Sequence, residues 1–431
     1  MELAAFVLLA VFFTLLFLNV PISFCIGLAT LATMLVSMDF LPAVTTLAQR
    51  MAGGLNSFAL LAIPFFVLSG LLMGRGGIAK RLIDCAMALV GSLPGGLALV
   101  NVLSCMLFGA ISGSAVAATS AIGSVMMPEM KKQGYDDSYS AAVTAAAATT
   151  GMLIPPSNIM IVYAIASGGV SIAALFVAGY LPGILLGIAL MIVCAGYAKL
   201  KGYPVGARVP AKVVAQKVAA ALPSMLMIFI VIGGIISGVF TATEAGAIAV
   251  VYSFVLAVLV YREVKVQDLA RLLLKSCETT AIVLALIATS AAMSWILSYE
   301  NIPQSISAGL LALSDNPLMI LLLINIILLI VGAFMDMTPA VLIFTPIFLP
   351  VAMELGLSPL HFGIMMILNL CIGLVSPPVG SVLFVACAVA KVRLEQLLKP
   401  LLPLYGAMIV VLLLVTYVPE ISEWLPKQVG L

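Results

Sequence analysis

Apolar runs of about 18 residues or more, each long enough as a helix to cross a bilayer, recur along almost the whole chain. Of its 431 residues, 64% are hydrophobic and 8% charged, against about 25% charged in an ordinary soluble domain. The chain therefore reads as an all-α polytopic membrane protein, a single unit over residues 1–431. A net charge of +2 and the lack of any long basic tract speak against a nucleic-acid partner. The opening MELAAFVLLAVFFTLLFL has Glu2 where a signal peptide would carry basic residues, so it reads as a retained first span. Seven cysteines lie scattered through apolar runs with no C-x-x-C, the pattern of packing residues.

The apolar segments fall near 3–38, 57–73, 85–127, 140–198, 218–261, 278–297, 317–350, 360–390 and 401–418. The first is too long for one crossing, and Pro21 marks its turn. Residues 39–56 are mixed in polarity, as in a segment lying along the membrane surface. Seventeen of the 19 Lys and Arg cluster at 75–81, 131–132, 199–217, 262–275 and 391–399. The linkers 166–172, 239–243, 298–317 and 351–360 contain none. By the positive-inside rule the basic regions, including a linker at 199–217, are cytoplasmic.

Into the apolar stretch from Ser140 to Tyr163 the sequence sets TGMLIPPSNIM. Proline lacks an N–H and its ring clashes with the preceding turn, so Pro155-Pro156 must break the helix. Such a break survives at membrane depth only inside protein or beside a wet cavity. A shift of 222 residues superposes Pro128 on Pro350, Gly134 on Gly356, Gly151 on Gly373 and Pro155-Pro156 on Pro377-Pro378. This is an internal repeat, with copies at 50–198 and 270–418. EMKKQGYDD follows Pro128, whereas base-free VAMELGLSP follows Pro350, so matched positions face opposite sides and the repeat is inverted. Each copy also carries an irregular element upstream of its break. A re-entrant hairpin fits 101–128 with its tip at Ser112-Gly113-Ser114, and another fits 317–350 with its tip near Asp336-Met337-Thr338-Pro339. The unwound breaks lie at 151–158 and 373–380.

Inverted repeats with broken helices are the architecture of secondary transporters, which bind substrate and ions at the breaks. Freed carbonyls and hydroxyls suit a hard cation, and helix N-termini suit an anion. With oxygen ligands and few carboxylates, sodium is the expected ion. Asp336 stands out because a carboxylate deep in an apolar run is costly, although capping its helix is a simpler role. Ser-Gly-Ser in a membrane helix can equally serve close packing. Glu244 and Glu278 read as favourable first-turn residues at span starts, and His361, the only histidine, as a helix-start residue without chemistry. With no H-E-x-x-H and no phosphate loop, neither an enzyme nor an ATP-driven pump is indicated.

The segments LLAIPFFVLSGLLM (60–73), GGIAKRLID (76–84), FGAISGSAVAATSAIGS (108–124), KKQGYDDSYSAAVTAAAATTGMLIPPS (131–157), LFVAGYLPGILLG (175–187), GGIISGVFTATEAGAIAVVY (233–252) and HFGIMMILNLCIGLVSPPVG (361–380) resemble the large membrane subunit of TRAP transporters, the tripartite ATP-independent periplasmic transporters for organic acids. The resemblance implies an elevator-type ion-transporter fold in a bacterial inner membrane, driven by sodium. It implies two partners as well, a small four-helix membrane subunit and a soluble periplasmic substrate-binding protein. The chain starts directly with the large-subunit pattern, so the small subunit is expected as a separate polypeptide. Of two implied sodium sites, one falls on Ser112, Ser114, Gly151, Pro155, Pro156, Ser157 and Asn158, the other on Gly332, Thr338, Gly373 and Ser376. Substrate is expected near Ser114, Ser157 and Asp336. A carboxylate beside Asp336 is repelled unless sodium or a substrate hydroxyl lies between them, which favours a sugar acid such as sialic acid over a C4-dicarboxylate. The rival reading is a stand-alone sodium–dicarboxylate carrier. A membrane enzyme or scaffold would leave the paired breaks without a purpose.

Overall fold

A computed structural model describes residues 2–75, 77–206, 209–313, 316–377 and 380–431. Among these residues the chain is a bundle of α-helices with no strand. Seven helices are long and apolar enough to cross a membrane, or up to nine if each of two bent pairs counts as one span. The first apolar run is two helices, Glu2–Phe17 and Ile22–Ser37, with Pro21 as the N-cap of the second. Residues 39–56 fold mainly as Phe40–Gly54, which packs on Val266–Tyr299, with Arg50 over the Trp295 ring at 5.1 Å.

Two hairpins and two broken helices form the centre. The first hairpin joins Gly96–Ser112 to Ala115–Lys132, and the helix after it runs Asp137–Ala148 and Thr150–Leu153, breaks, and resumes as Asn158–Ala166. The second hairpin joins Pro317–Phe334 to Met337–Glu354, followed by Pro359–Gly373 and, past its break, Ser381–Ala390. Shifted by 222 residues, Ala115–Lys132 coincides with Met337–Glu354 at both ends. Gly134 and Gly356, also related by this shift, take matching left-handed conformations at φ 84° and 87°. Pro378 of the second break lies outside the described residues.

The two units interlock. Asn158–Ala166 packs against the outgoing arm of the second hairpin, and Ser381–Ala390 against the outgoing arm of the first. Tyr163 Oη donates to the Pro359 carbonyl at 2.6 Å, tying one broken helix to the start of the other.

Buried asparagines fasten each hairpin to its broken helix. Asn101 Nδ2 donates to Thr144 Oγ1 at 2.7 Å. In the second unit Asn369 Nδ2 donates to Asn325 O at 2.9 Å and Asn325 Oδ1 at 2.8 Å, while Asn325 Nδ2 reaches Thr416 Oγ1 at 3.1 Å. Asn369→Leu removes the shared donor and strands buried acceptors, so it is expected to cost about 1–3 kcal/mol. A lowered melting temperature of the detergent-purified protein, read from intrinsic fluorescence, checks this.

Two expectations change at the level of helix ends. Helix Ile172–Lys201 runs on to Gly202, a C-cap at φ 68°, and Pro210 starts Ala211–Ile236. The basic linker is thus shorter than 199–217, because proline's fixed φ opens a helix while glycine closes one. Glu278 does not begin a span; it sits exposed within the long helix Val266–Tyr299, whose amphipathic first turns the apolar count excluded. Glu244 does begin one, closing a capping box in which Thr241 Oγ1 accepts from Glu244 N and the Glu244 carboxylate accepts from Thr241 N.

Candidate functional site

The hairpin tips are short. At the first, Gly113 turns the chain at φ 58°, and Ser114 is the N-cap of Ala115–Lys132, its Oγ accepting from Ala117 N at 3.2 Å. At the second, Met335 and Asp336 make the turn, so Met337, Thr338 and Pro339 already belong to the outgoing helix. Asp336 occupies the N-cap position but makes no side-chain capping bond. Its carboxylate lines the cavity described next.

A cavity of about 300 Å³ lies between the tips. Ser114, Asn158, Asp336, Thr338 and Ser381 line it from the hairpin and broken-helix units, and Thr279 from Val266–Tyr299. The remainder of its wall is apolar apart from Gly113, with Ile63, Val67, Ile282, Val283 and Leu286 on helices outside those units. Four helices begin at the wall: Ala115–Lys132, Asn158–Ala166, Met337–Glu354 and Ser381–Ala390. Their first-turn N–H groups and positive dipole ends create a field that favours an anion, although no Lys, Arg or His among the described residues lines the cavity. Asp336, the one acidic group in the wall among the described residues, favours a cation or a hydroxyl donor beside that anion.

The first break is built around the first tip. A side chain added at Gly113 would lie 3.6 Å from Pro156 O and 3.5 Å from Asn158 Nδ2. Ser157 Oγ and Asn158 Oδ1 are buried and have no hydrogen-bond partner among the described residues. Ser112 Oγ donates to Ser114 O at 3.5 Å, and the Pro155–Pro156 bond is cis. Two buried oxygens beside a backbone carbonyl are a donor set a small hard cation takes.

Gly151 and Gly373, read from the sequence as parts of unwound segments, lie in helical turns. Each meets a glycine of its own hairpin, Gly151 against Gly109 and Gly373 against Gly332. A Cβ on Gly151 would stand 2.2 Å from the Gly109 Cα, and one on Gly373 2.6 Å from the Gly332 Cα. These glycines allow backbone to touch backbone, so that hairpin and break meet closely. Gly109 escaped the sequence reading because Gly332 sits one residue nearer its own tip, which a constant shift does not match.

Ser376 Oγ donates to Ile372 O at 2.8 Å and pairs with Tyr405 Oη at 3.0 Å, so its oxygen already has partners. Ser157 does not line the cavity; it is buried, next in the chain to Asn158, which does line it. Thr279 and Ser381 were not singled out from the sequence. Position 381 falls on Ile159 after the 222-residue shift, and one threonine in an amphipathic run carries no signal. His361 is buried at a helix start, its Nδ1 2.7 Å from Ser422 Oγ and its Nε2 3.3 Å from Thr416 O, a packing arrangement.

Residues 9–421 match the family model described as "Tripartite ATP-independent periplasmic transporter, DctM component". The chain is 51% identical over 420 residues to the protein YgiK of Salmonella typhimurium, covering 97% of this chain and 96% of that one. It is 43% identical to the C4-dicarboxylate TRAP transporter large permease protein DctM of Pseudomonas aeruginosa, over 90% of this chain and 91% of the relative. Identity to the sialic acid TRAP transporter large permease protein SiaM of Vibrio cholerae is 37%, over 96% of each chain. Among solved structures the fold is similar to that of the Alcanivorax borkumensis YdaH transporter, with a TM-score of 0.68, 14% identity and 90% of each chain covered. Hairpins and broken helices converge on one cavity in a chain that matches the family over nearly its whole length, and it belongs to the large membrane permease subunits of the TRAP transporters.

Proposed function

We propose that this permease imports a hydroxylated organic acid, a sugar acid rather than a bare C4-dicarboxylate, using the sodium gradient. The observation that carries the reading is the convergence of two hairpin tips, four helix starts and Asp336 on one cavity. Helix N-termini receive the carboxylate, with Ser114, Asn158 and Ser381 as hydrogen-bonding neighbours. Sodium is cargo as well as driving ion. One ion is assigned to Ser112, Ser114, Pro155, Pro156, Ser157 and Asn158, supported by the unpartnered Ser157 and Asn158 oxygens. A second is assigned to the contact of Gly332, Thr338, Gly373 and Ser376, supported by the parallel glycine-on-glycine approach in both units. Asp336, facing the acid's body, requires donors from it, which hydroxyls supply and succinate's methylenes do not.

In this proposal the two interlocked units slide together as an elevator carrying the cavity across the membrane, with inverted repeats supplying the two end states. The basic loops lie in the cytoplasm of a bacterium and the chain in its inner membrane. A small membrane subunit holds the static part, and a soluble periplasmic binding protein delivers the acid. Uptake of labelled sialic acid and succinate into proteoliposomes tests this, with and without an inward sodium gradient and the binding protein. Sialic acid uptake that needs both supports the reading. Sodium-driven uptake that persists without a binding protein would point to a stand-alone carrier, and preference for succinate would overturn the sugar-acid assignment.

A further inference from the structure

We infer that Thr279 is a specificity-determining residue that reads a hydroxyl on the substrate's body, away from its carboxylate; this deepens and rests on the transport reading above. The cavity is asymmetric. The hairpin and broken-helix units contribute Ser114, Asn158, Asp336, Thr338 and Ser381, whereas the helices outside them contribute apolar side chains and one polar group, Thr279. Val266–Tyr299, which carries Thr279, packs against Met337–Glu354, which begins beside Asp336.

The hydrogen bonding of Thr279 defines what it selects. Its Oγ1 donates to Lys275 O at 2.9 Å, within its own helix. The hydroxyl hydrogen is therefore engaged, and the oxygen presents lone pairs to the cavity. Asp336 presents acceptors as well. A carboxylate end has no hydrogen to give at neutral pH, so Thr279 and Asp336 together ask for O–H or N–H groups. A polyol acid has them; a saturated dicarboxylate does not.

Thr279 also differs from the other polar groups in where it is anchored. It stands on a helix outside the units that carry the rest of the site, so sliding of those units past Val266–Tyr299 breaks its contact while the others travel with the substrate. Thr279 thus adds affinity in one end state only, and its loss at the other favours release. A ligand shifts an equilibrium between two states only by its differential affinity for them, and Thr279 is a source of such a difference.

The test compares wild type, Thr279→Val and Thr279→Ser in proteoliposomes with the binding protein present. The readouts are KM and maximal rate for sialic acid and for succinate, and the sodium concentration for half-maximal uptake. Valine keeps the shape and deletes the oxygen. Thr279→Val is expected to raise KM for sialic acid about 3–10-fold, the effect of one neutral hydrogen bond, and to lower the preference for sialic acid over succinate by about the same factor. Thr279→Ser is expected to restore the sialic acid KM. Equal loss for both acids, or no recovery with serine, would mark a packing role and overturn the inference. So would a Thr279→Val protein with wild-type KM, and in that case the transport reading stands. A wild type showing no sodium-driven uptake of any organic acid would overturn the transport reading and this inference with it.

Discussion

Asp336→Asn is expected to cut sodium-driven uptake by roughly 10–100-fold while leaving the protein folded. Asparagine keeps the size of the side chain and its cavity position but removes the charge. Two observations make a large effect the expected one. The carboxylate makes no capping bond at its helix start, whereas Ser114, its counterpart after the 222-residue shift, does cap its helix. The carboxylate also lines the cavity at the meeting point of the tips, in a wall with no other acidic residue among the described residues. A charge kept at such a place costs stability and is retained for what it binds. Initial rates of labelled uptake measure the loss, and an unchanged melting temperature separates it from misfolding. Wild-type uptake by the asparagine variant would leave Asp336 without a role in transport.

Gly151→Val is expected to prevent the first hairpin from docking on its broken helix and to destabilise the protein by about 3 kcal/mol or more. The new Cβ would meet Gly109 Cα at 2.2 Å, and both partners are backbone, so no rotamer change relieves the clash. Gly373→Val is expected to act likewise through the Gly332 Cα at 2.6 Å. Gly196→Ala, with nothing within 4 Å of the added carbon, is the control and is expected to change stability by no more than about 0.5 kcal/mol. Thermal unfolding of the purified variants in detergent checks all three. A Gly151→Val protein as stable as the control would show that the hairpin and broken helix can separate without cost.

The sequence determined the class of molecule and the places where its helices fail. Apolar runs too long for soluble folding, the proline pair and the Ser-Gly-Ser tip are local facts, because proline geometry and lipid's inability to hydrogen-bond act on the backbone wherever it lies. Residue order gave a break within 151–158, a tip at Ser112-Gly113-Ser114 and a turn at Pro21, and the helices stop at Leu153 and Ser112 and start again after Pro21. Helix ends set by amphipathic turns, as at Val266 before Glu278 and at Ala211 after Pro210, were less so.

The tertiary structure decided which oxygens meet. It brought Asp336, Thr279 and Ser381 to one cavity, left Ser157 out of its wall and paired Gly109 with Gly151. None of these had a signature in the sequence, because a polar residue in an apolar helix looks the same whether it faces a cavity, a neighbouring backbone or its own preceding turn. Packing alone selects among those faces, and here two units distant in sequence must interlock before the selection is made.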